Sequence, residues 1–74
     1  MSFPVETLLA DTMDTVRAGR LAGLCKRNGI ANAIDLAMLD ASMMSQLVGD
    51  EADELLEPLR LAVTHANSFK KGWG

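Results

Sequence analysis

The sequence has little of what small proteins use to hold a thin core together. It has one cysteine, Cys25, and one histidine, His65, in 74 residues. A lone cysteine excludes an intramolecular disulfide, and one cysteine with one histidine cannot complete a closed zinc site. A chain this short buries only about 60% of the surface that its unfolded form exposes. The remaining common source of stability is a bound partner or a second copy of the chain.

Long apolar runs and targeting features are also missing. Uncharged stretches such as 41–49 are far shorter than the roughly 20 residues that span a bilayer. The N-terminal sequence MSFPVETLLAD lacks the basic start of a secretory signal. We therefore expect a cytoplasmic protein without membrane contact.

No segment alternates apolar and polar residues with the period of two that marks a strand, whereas helical spacing recurs throughout. The first helix is predicted to begin near Pro4 and to stop at Gly19, with an apolar stripe of Val5, Leu8, Leu9, Met13 and Val16. The second covers roughly 20–28, with a stripe of Leu21, Leu24 and Cys25. It is predicted to stop at Gly29, where Ile30 can fold back against it.

Two short helices are predicted next. Asn32 is a good N-cap for the third, with Asp35 in a capping-box-like place. Its apolar side chains are Ile34, Leu36, Ala37, Met38 and Leu39. Asp40 or Ser42 can cap the fourth, which Gly49 ends.

The last helix is predicted to be the longest, with an i, i+3, i+4, i+7 stripe from Ala52 to Ala66. Pro58 interrupts it, so we expect a kink or restart near Glu57. The sequence thus predicts an all-α, compact single domain of four or five short helices over residues 1–68. A flexible tail is predicted over residues 69–74.

The charges occur in blocks. Residues 17–32 carry four bases and no acid, whereas residues 33–57 carry seven acids and no base. The formal net charge is −3, which makes the chain a poor general binder of phosphate and therefore of nucleic acid. Two blocks of opposite sign suit a charged protein partner or self-association as a homodimer.

The order of apolar and glycine positions from Leu24 to Ala66 resembles the SAM domain and helix-hairpin-helix families. Both have a GI after the second helix, a dLa-L stretch, an L-x-G turn and a longer final helix. The corresponding segments here are Gly29-Ile30, IDLAMLD, Leu47-Val48-Gly49 and ELLEPLRLAV. The resemblance implies a SAM-like orthogonal bundle.

The two families imply different partners. The DNA-binding hairpin typically has L-x-G-I/V-G, but this chain has LVGDE. Gly49 matches, whereas Asp50 and Glu51 stand where an apolar residue and the second glycine belong, and carboxylates repel a phosphate backbone. The SAM resemblance implies binding to proteins, often to other SAM domains, through oppositely charged surfaces.

The candidate partner-binding residues combine the charged blocks with adaptable or aromatic side chains. They are Arg17, Arg20, Lys26, Arg27, Met43, Met44, Glu51, Glu54 and Trp73. The charged residues could equally form solvated faces, and one of the two adjacent methionines could pack in the core. Trp73 could pack locally or be disordered instead of contacting a partner. Met13 and Met38 are predicted to be core residues.

No nucleophile with a base, metal cluster or phosphate loop is recognisable, so we expect neither an enzyme nor a cofactor, metal ion or small-molecule substrate. Cys25 is predicted to be a buried small hydrophobe and His65 a surface residue. The first hypothesis is a non-enzymatic protein–protein interaction module that docks onto a larger protein and modulates its activity or assembly. The alternatives are a nucleic-acid-binding protein of helix-hairpin-helix type and a self-assembling SAM-like structural protein.

Overall fold

The computed structural model describes residues 4–70, and this part of the chain is all-α, as predicted. It contains five α-helices: α1 (Val5–Thr12), α2 (Thr15–Arg27), α3 (Ala33–Ala37), α4 (Ala41–Val48) and α5 (Ala52–Lys70). A 3-10 turn over Gly49–Glu51 joins the last two. The longest helix is the C-terminal one, which was also predicted. None of these helices is both long and apolar enough to cross a bilayer.

The first helix is shorter than the apolar spacing predicted. The hydroxyl of Thr12 donates to two carbonyls in the last turn of α1, both at 3.2 Å. The backbone then becomes extended at Met13, with φ −153° and ψ 175°. Asp14 starts α2 as its N-cap, and its side chain accepts a hydrogen bond from the backbone N–H of Arg17 at 3.0 Å.

Two residues assigned to the first helix therefore belong to α2, and both predictions were wrong. Val16 is 71% exposed and is not in the core. Gly19 lies in the interior of α2 and does not stop a helix. The break lies at Asp14, which has an extended backbone and caps the N-terminus of α2, a position for which aspartate is strongly preferred.

The predicted stop of the second helix is confirmed. Gly29 has a left-handed φ of 76°, and its N–H donates to the carbonyl of Lys26 at 3.3 Å. The N–H of Ile30 donates to the carbonyl of Cys25 at 2.9 Å, and the Ile30 side chain is buried. These two hydrogen bonds form a Schellman motif, which pairs carbonyls that the helix end would otherwise leave unpaired.

The predicted N-caps of α3 and α4 and the predicted end of α4 are confirmed. Asn32 caps α3 by accepting from the N–H of Asp35 at 3.1 Å, and Asp40 caps α4 by accepting from the N–H of Met43 at 2.8 Å. Gly49, at φ 52°, ends α4 as predicted.

The predicted apolar face of α3 needs correction. Its buried residues are Ala33, Leu36 and Ala37, whereas Met38 is 67% exposed and Ile34 is 37% exposed. Met38 is therefore not a core residue. A helix of five residues completes little more than one turn, so the spacing of its apolar residues does not define which side is buried.

The apolar stripe of α5 is confirmed, since Leu55, Leu59, Ala62, Val63 and Ala66 are buried. The predicted restart near Glu57 does not occur, because α5 continues through Pro58 to Lys70. Proline removes one N–H of the helix ladder, and here the rest of the helix is held by its buried stripe. α5 extends two residues beyond the predicted domain boundary at residue 68.

Two connections close the bundle around this stripe. The N–H of Val5 donates to the carbonyl of Ala31 at 3.2 Å, which ties the start of α1 to the loop before α3. The side-chain amide of Asn67 donates to the carbonyl of Ala37 at 3.2 Å, which ties α5 to the end of α3. The core is a single apolar cluster to which all five helices contribute, and among the described residues no polar or charged side chain is buried in it.

Candidate interaction surfaces

Arg20 joins the two oppositely charged blocks within one chain. Its Nη1 lies 2.6 Å from Oε2 of Glu54, and its Nη2 lies 2.6 Å from Oε1 of Glu51. The planar guanidinium suits such a fork, because its N–H donors point in fixed directions toward two carboxylates at once. The two contacts fasten the middle of α2 to the 3-10 turn at Glu51 and to the first turn of α5 at Glu54.

The electrostatics of this bridge follow from its geometry. The hydrogen bond from Arg20, and then its positive charge, hold the pKa of Glu54 below its ordinary value. The hydrogen bonds to Glu54 and Glu51 raise the pKa of Arg20 above its ordinary value. Three of the predicted partner-binding residues are thus brought together, and each is already paired with another of the three.

The other predicted bases do not form one patch with Arg20. Arg17 lies at the start of α2, with its Nε 3.6 Å from Oδ1 of Asp14, and both side chains are more than half exposed. Lys26 and Arg27 lie in the last turn of α2 and are exposed. At 1.5 Å per residue, Arg17 and Lys26 are about 14 Å apart along the helix. The basic block is therefore divided between the two ends of α2.

A groove lies between the α1–α2 junction and the first half of α5, with a volume of about 340 Å³. We call it the acidic groove. Its apolar lining is Met13, Pro58 and Leu61, and its charged lining is Asp14, Arg17, Asp53, Glu54 and Glu57. Four carboxylates and one guanidinium line it. Three of these carboxylates are paired within the chain, Asp14 with Arg17, Glu54 with Arg20 and Glu57 with Arg60.

A second groove, of about 290 Å³, lies between the loop after α2 and the outer side of α4, and we call it the α4 groove. Ile30, Leu39, Met43 and Leu47 supply its apolar lining, with the amides Asn28 and Gln46 beside them. Met43 is 48% exposed, so this residue is accessible from solvent.

The adjacent methionine has a different environment. Met44 is half-buried and packs against the core, and it lines a small hollow of about 170 Å³ together with Leu56 and Arg60. Of the two methionines predicted as contact residues, Met43 is the more accessible. Trp73 lies outside the described residues.

Cys25 and His65, the chain's one cysteine and one histidine, lie in different environments. Cys25 is fully buried in the core, and desolvation, followed by the charge of Glu6, raises the pKa of its thiol to about 11. His65 is half-buried on α5 and stacks edge-on against Phe69, with 4.7 Å between ring centroids. Within residues 4–70, no group of three or more His, Cys, Asp and Glu side chains could hold a metal ion.

Several groove residues were not anticipated from the sequence. In the sequence, Asp53 and Glu57 belong to the acidic block and Pro58 interrupts the helical pattern. Leu61 lies off the buried stripe of α5 and is 57% exposed, and a single exposed apolar residue is ordinary on a protein surface. Its place beside Met13 and Pro58 is visible only in the folded chain.

No protein-family model, no curated protein and no solved structure matches this chain. The resemblance to SAM and helix-hairpin-helix domains accordingly stays a prediction from the sequence.

Proposed function

We propose that the chain is a small non-enzymatic interaction module that docks onto a larger protein and modulates the activity or assembly of that protein. The observation that carries this proposal is the α4 groove, where Met43 stands exposed beside Ile30, Leu39 and Leu47. Methionine is flexible and polarisable, and proteins use it where a surface must adapt to a partner. The buried centre of a protein–protein interface is more apolar than the rest of the surface, and methionine is enriched there.

The charge distribution favours a different protein over a second copy. In self-assembly through Arg20, its guanidinium would have to reach Glu51 or Glu54 of another chain. Arg20 already bonds both carboxylates of its own chain at 2.6 Å. An intermolecular pair would have to break two charge-assisted hydrogen bonds in order to form equivalent ones.

The same distribution weighs against nucleic acid. Arg17 and Arg20 are engaged with carboxylates, which leaves Lys26 and Arg27 at one end of α2. Two bases release few counterions from a phosphate backbone, so their contribution to binding is small. The carboxylates of the acidic groove oppose any such contact from the other end of α2.

The proposal is tested by affinity capture of the tagged chain from source cells, with and without nuclease, read by mass spectrometry. We expect one stoichiometric protein that survives nuclease treatment. Met43→Lys places a charge in the α4 groove at an exposed position and should weaken capture. Thr7→Lys is the matched control, because Thr7 is exposed on α1, and α1 makes no contact with α4.

The outcomes separate the three hypotheses. Recovery that collapses with nuclease would replace the proposal with nucleic-acid binding. Recovery of the untagged chain alone would replace it with self-assembly. Equal capture by wild type, Met43→Lys and Thr7→Lys would retain a protein partner but remove the α4 groove as its binding site.

A further inference from the structure

We infer that the acidic groove is a docking site for a basic amphipathic helix of a partner protein. This inference rests on the proposed function and assigns a surface and a partner chemistry that the α4 groove does not supply. The two grooves have no lining residue in common. The acidic groove can therefore be tested independently of the α4 groove.

The floor of the acidic groove is apolar and open. Leu61 is 57% exposed, and it lies beside Pro58 and Met13, which are half-buried. Covering these side chains removes apolar surface from water, which favours association. A volume of about 340 Å³ accommodates the side chains of a helix face rather than a whole folded element.

The charged rim determines the sign of the partner. Asp53, Glu57 and Leu61 follow one another at intervals of four residues along α5, so they lie on one face about one turn apart. Asp53 and Glu57 are exposed. Glu57 lies 3.5 Å from Nη1 of Arg60, but both side chains of this pair are more than 60% exposed, and an ion pair so exposed contributes little and can exchange with a partner's cation. A partner helix with Lys or Arg at i and i+4 and a large apolar residue one turn further on would place matching side chains opposite Asp53, Glu57 and Leu61. Such helix-in-groove contacts are a common mode of peptide recognition.

The bridge at Arg20 keeps the rim in place. Glu54 lines the groove and is held at 2.6 Å by Arg20, so the start of α5 is fixed against α2 before a partner arrives. A preformed groove loses less conformational entropy on binding than a mobile one does. Arg17, held by Asp14, adds one positive charge at the α2 edge, which disfavours a uniformly basic segment there.

The test uses the isotopically labelled full chain and a synthetic peptide of about 15 residues, long enough to form an amphipathic helix. The peptide is built from Lys, Leu and Ala, with Lys at i and i+4 on the Leu face, and its control has Glu in place of every Lys. Binding is followed by NMR chemical shifts and by fluorescence titration at low and at physiological salt. We expect the largest shifts at Met13, Arg17 and Leu61, and no binding of the Glu peptide.

Matched variants separate the groove from general charge. Asp53→Asn with Glu57→Gln should weaken binding by about threefold to tenfold, as expected for two exposed charge pairs. Glu6→Gln with Asp50→Asn changes the net charge equally at exposed positions outside the groove and should change affinity by less than about twofold. Leu61→Gln should weaken binding at both salt concentrations, because it removes apolar contact.

The inference is overturned if the basic peptide does not bind, if shifts map outside the groove, or if both double variants weaken binding equally. It is also overturned if sedimentation shows a dimer that Asp53→Asn with Glu57→Gln dissolves, because the occupant is then a second copy. A failed peptide titration together with a captured protein that depends on Met43 would leave the proposed function standing. Failure of both experiments would remove both.

Discussion

Replacing Gly19 by alanine is expected to stabilise the protein. Gly19 lies in the interior of α2, and a Cβ built there meets no atom within 4 Å. Alanine is better than glycine in a helix interior by about 0.5–1 kcal/mol, because it loses less backbone entropy on folding. For a domain of this size, 1 kcal/mol corresponds to a shift in Tm of about 4–8 °C. The expected increase in Tm is therefore about 2–8 °C.

Gly29→Ala supplies the control of opposite sign. A Cβ at Gly29 also meets nothing within 4 Å, but its φ is +76°, and the left-handed conformation costs a residue with a Cβ about 1–2 kcal/mol. Thermal and urea unfolding followed by circular dichroism would measure both variants. A lower Tm for Gly19→Ala would refute the reasoning, since it would mean that Gly19 ends a helix, as the apolar spacing first predicted.

Three further predictions concern the core, the thiol and the bridge. Leu59→Ala should lower the free energy of unfolding by about 2–5 kcal/mol, because Leu59 is fully buried in α5; urea unfolding measures this, and a loss below 1 kcal/mol would contradict it. The thiol of Cys25 is buried and its pKa is raised to about 11, so it should react with an aromatic disulfide reagent at pH 8 only as fast as the protein opens, and rapidly once the protein is unfolded. The free energy of unfolding should also fall as pH rises from 9 toward 11, because the thiol loses its proton more readily in the unfolded chain. Arg20 lowers the pKa of Glu54, so the stabilisation from this ion pair is complete above pH 4.5 and is lost as pH falls through the pKa of Glu54 in the folded protein. The difference in unfolding free energy between wild type and Arg20→Gln should therefore shrink as pH falls below 4.5. A difference that does not change with pH would exclude the Arg20 bridge as its cause.

Local signals predicted much of the fold. Gly29 and Gly49 end helices because each adopts a positive φ, and Asn32 and Asp40 cap helices because a short polar side chain reaches the backbone N–H three residues on. The stripe of α5 was recognisable because 19 residues repeat the helical period several times. Each of these features is encoded within a few consecutive residues or in a long regular repeat.

The features that the sequence did not predict depend on two local signals that disagree, or on contacts between residues far apart in the sequence. The helical spacing of apolar residues continues from Met13 to Val16, so it predicts one helix across the N-cap at Asp14, where the structure has two. The charge blocks were visible, but the sequence could not show that Arg20 meets Glu51 and Glu54, which lie 31 and 34 residues further along. The acidic groove was missed for the same reason, since α5 and the α1–α2 junction supply its two sides.

Arg20 pairs the opposite charges within one chain, and we propose that the grooves are therefore left to a different protein. Sedimentation equilibrium of the purified chain measures whether Arg20 pairs within one chain or between copies. We expect a monomer of 7.9 kDa at physiological salt, for wild type and for Arg20→Gln alike. A dimer or larger assembly of the wild type that Arg20→Gln dissociates would contradict it, because Arg20 would then be pairing with the carboxylates of another copy.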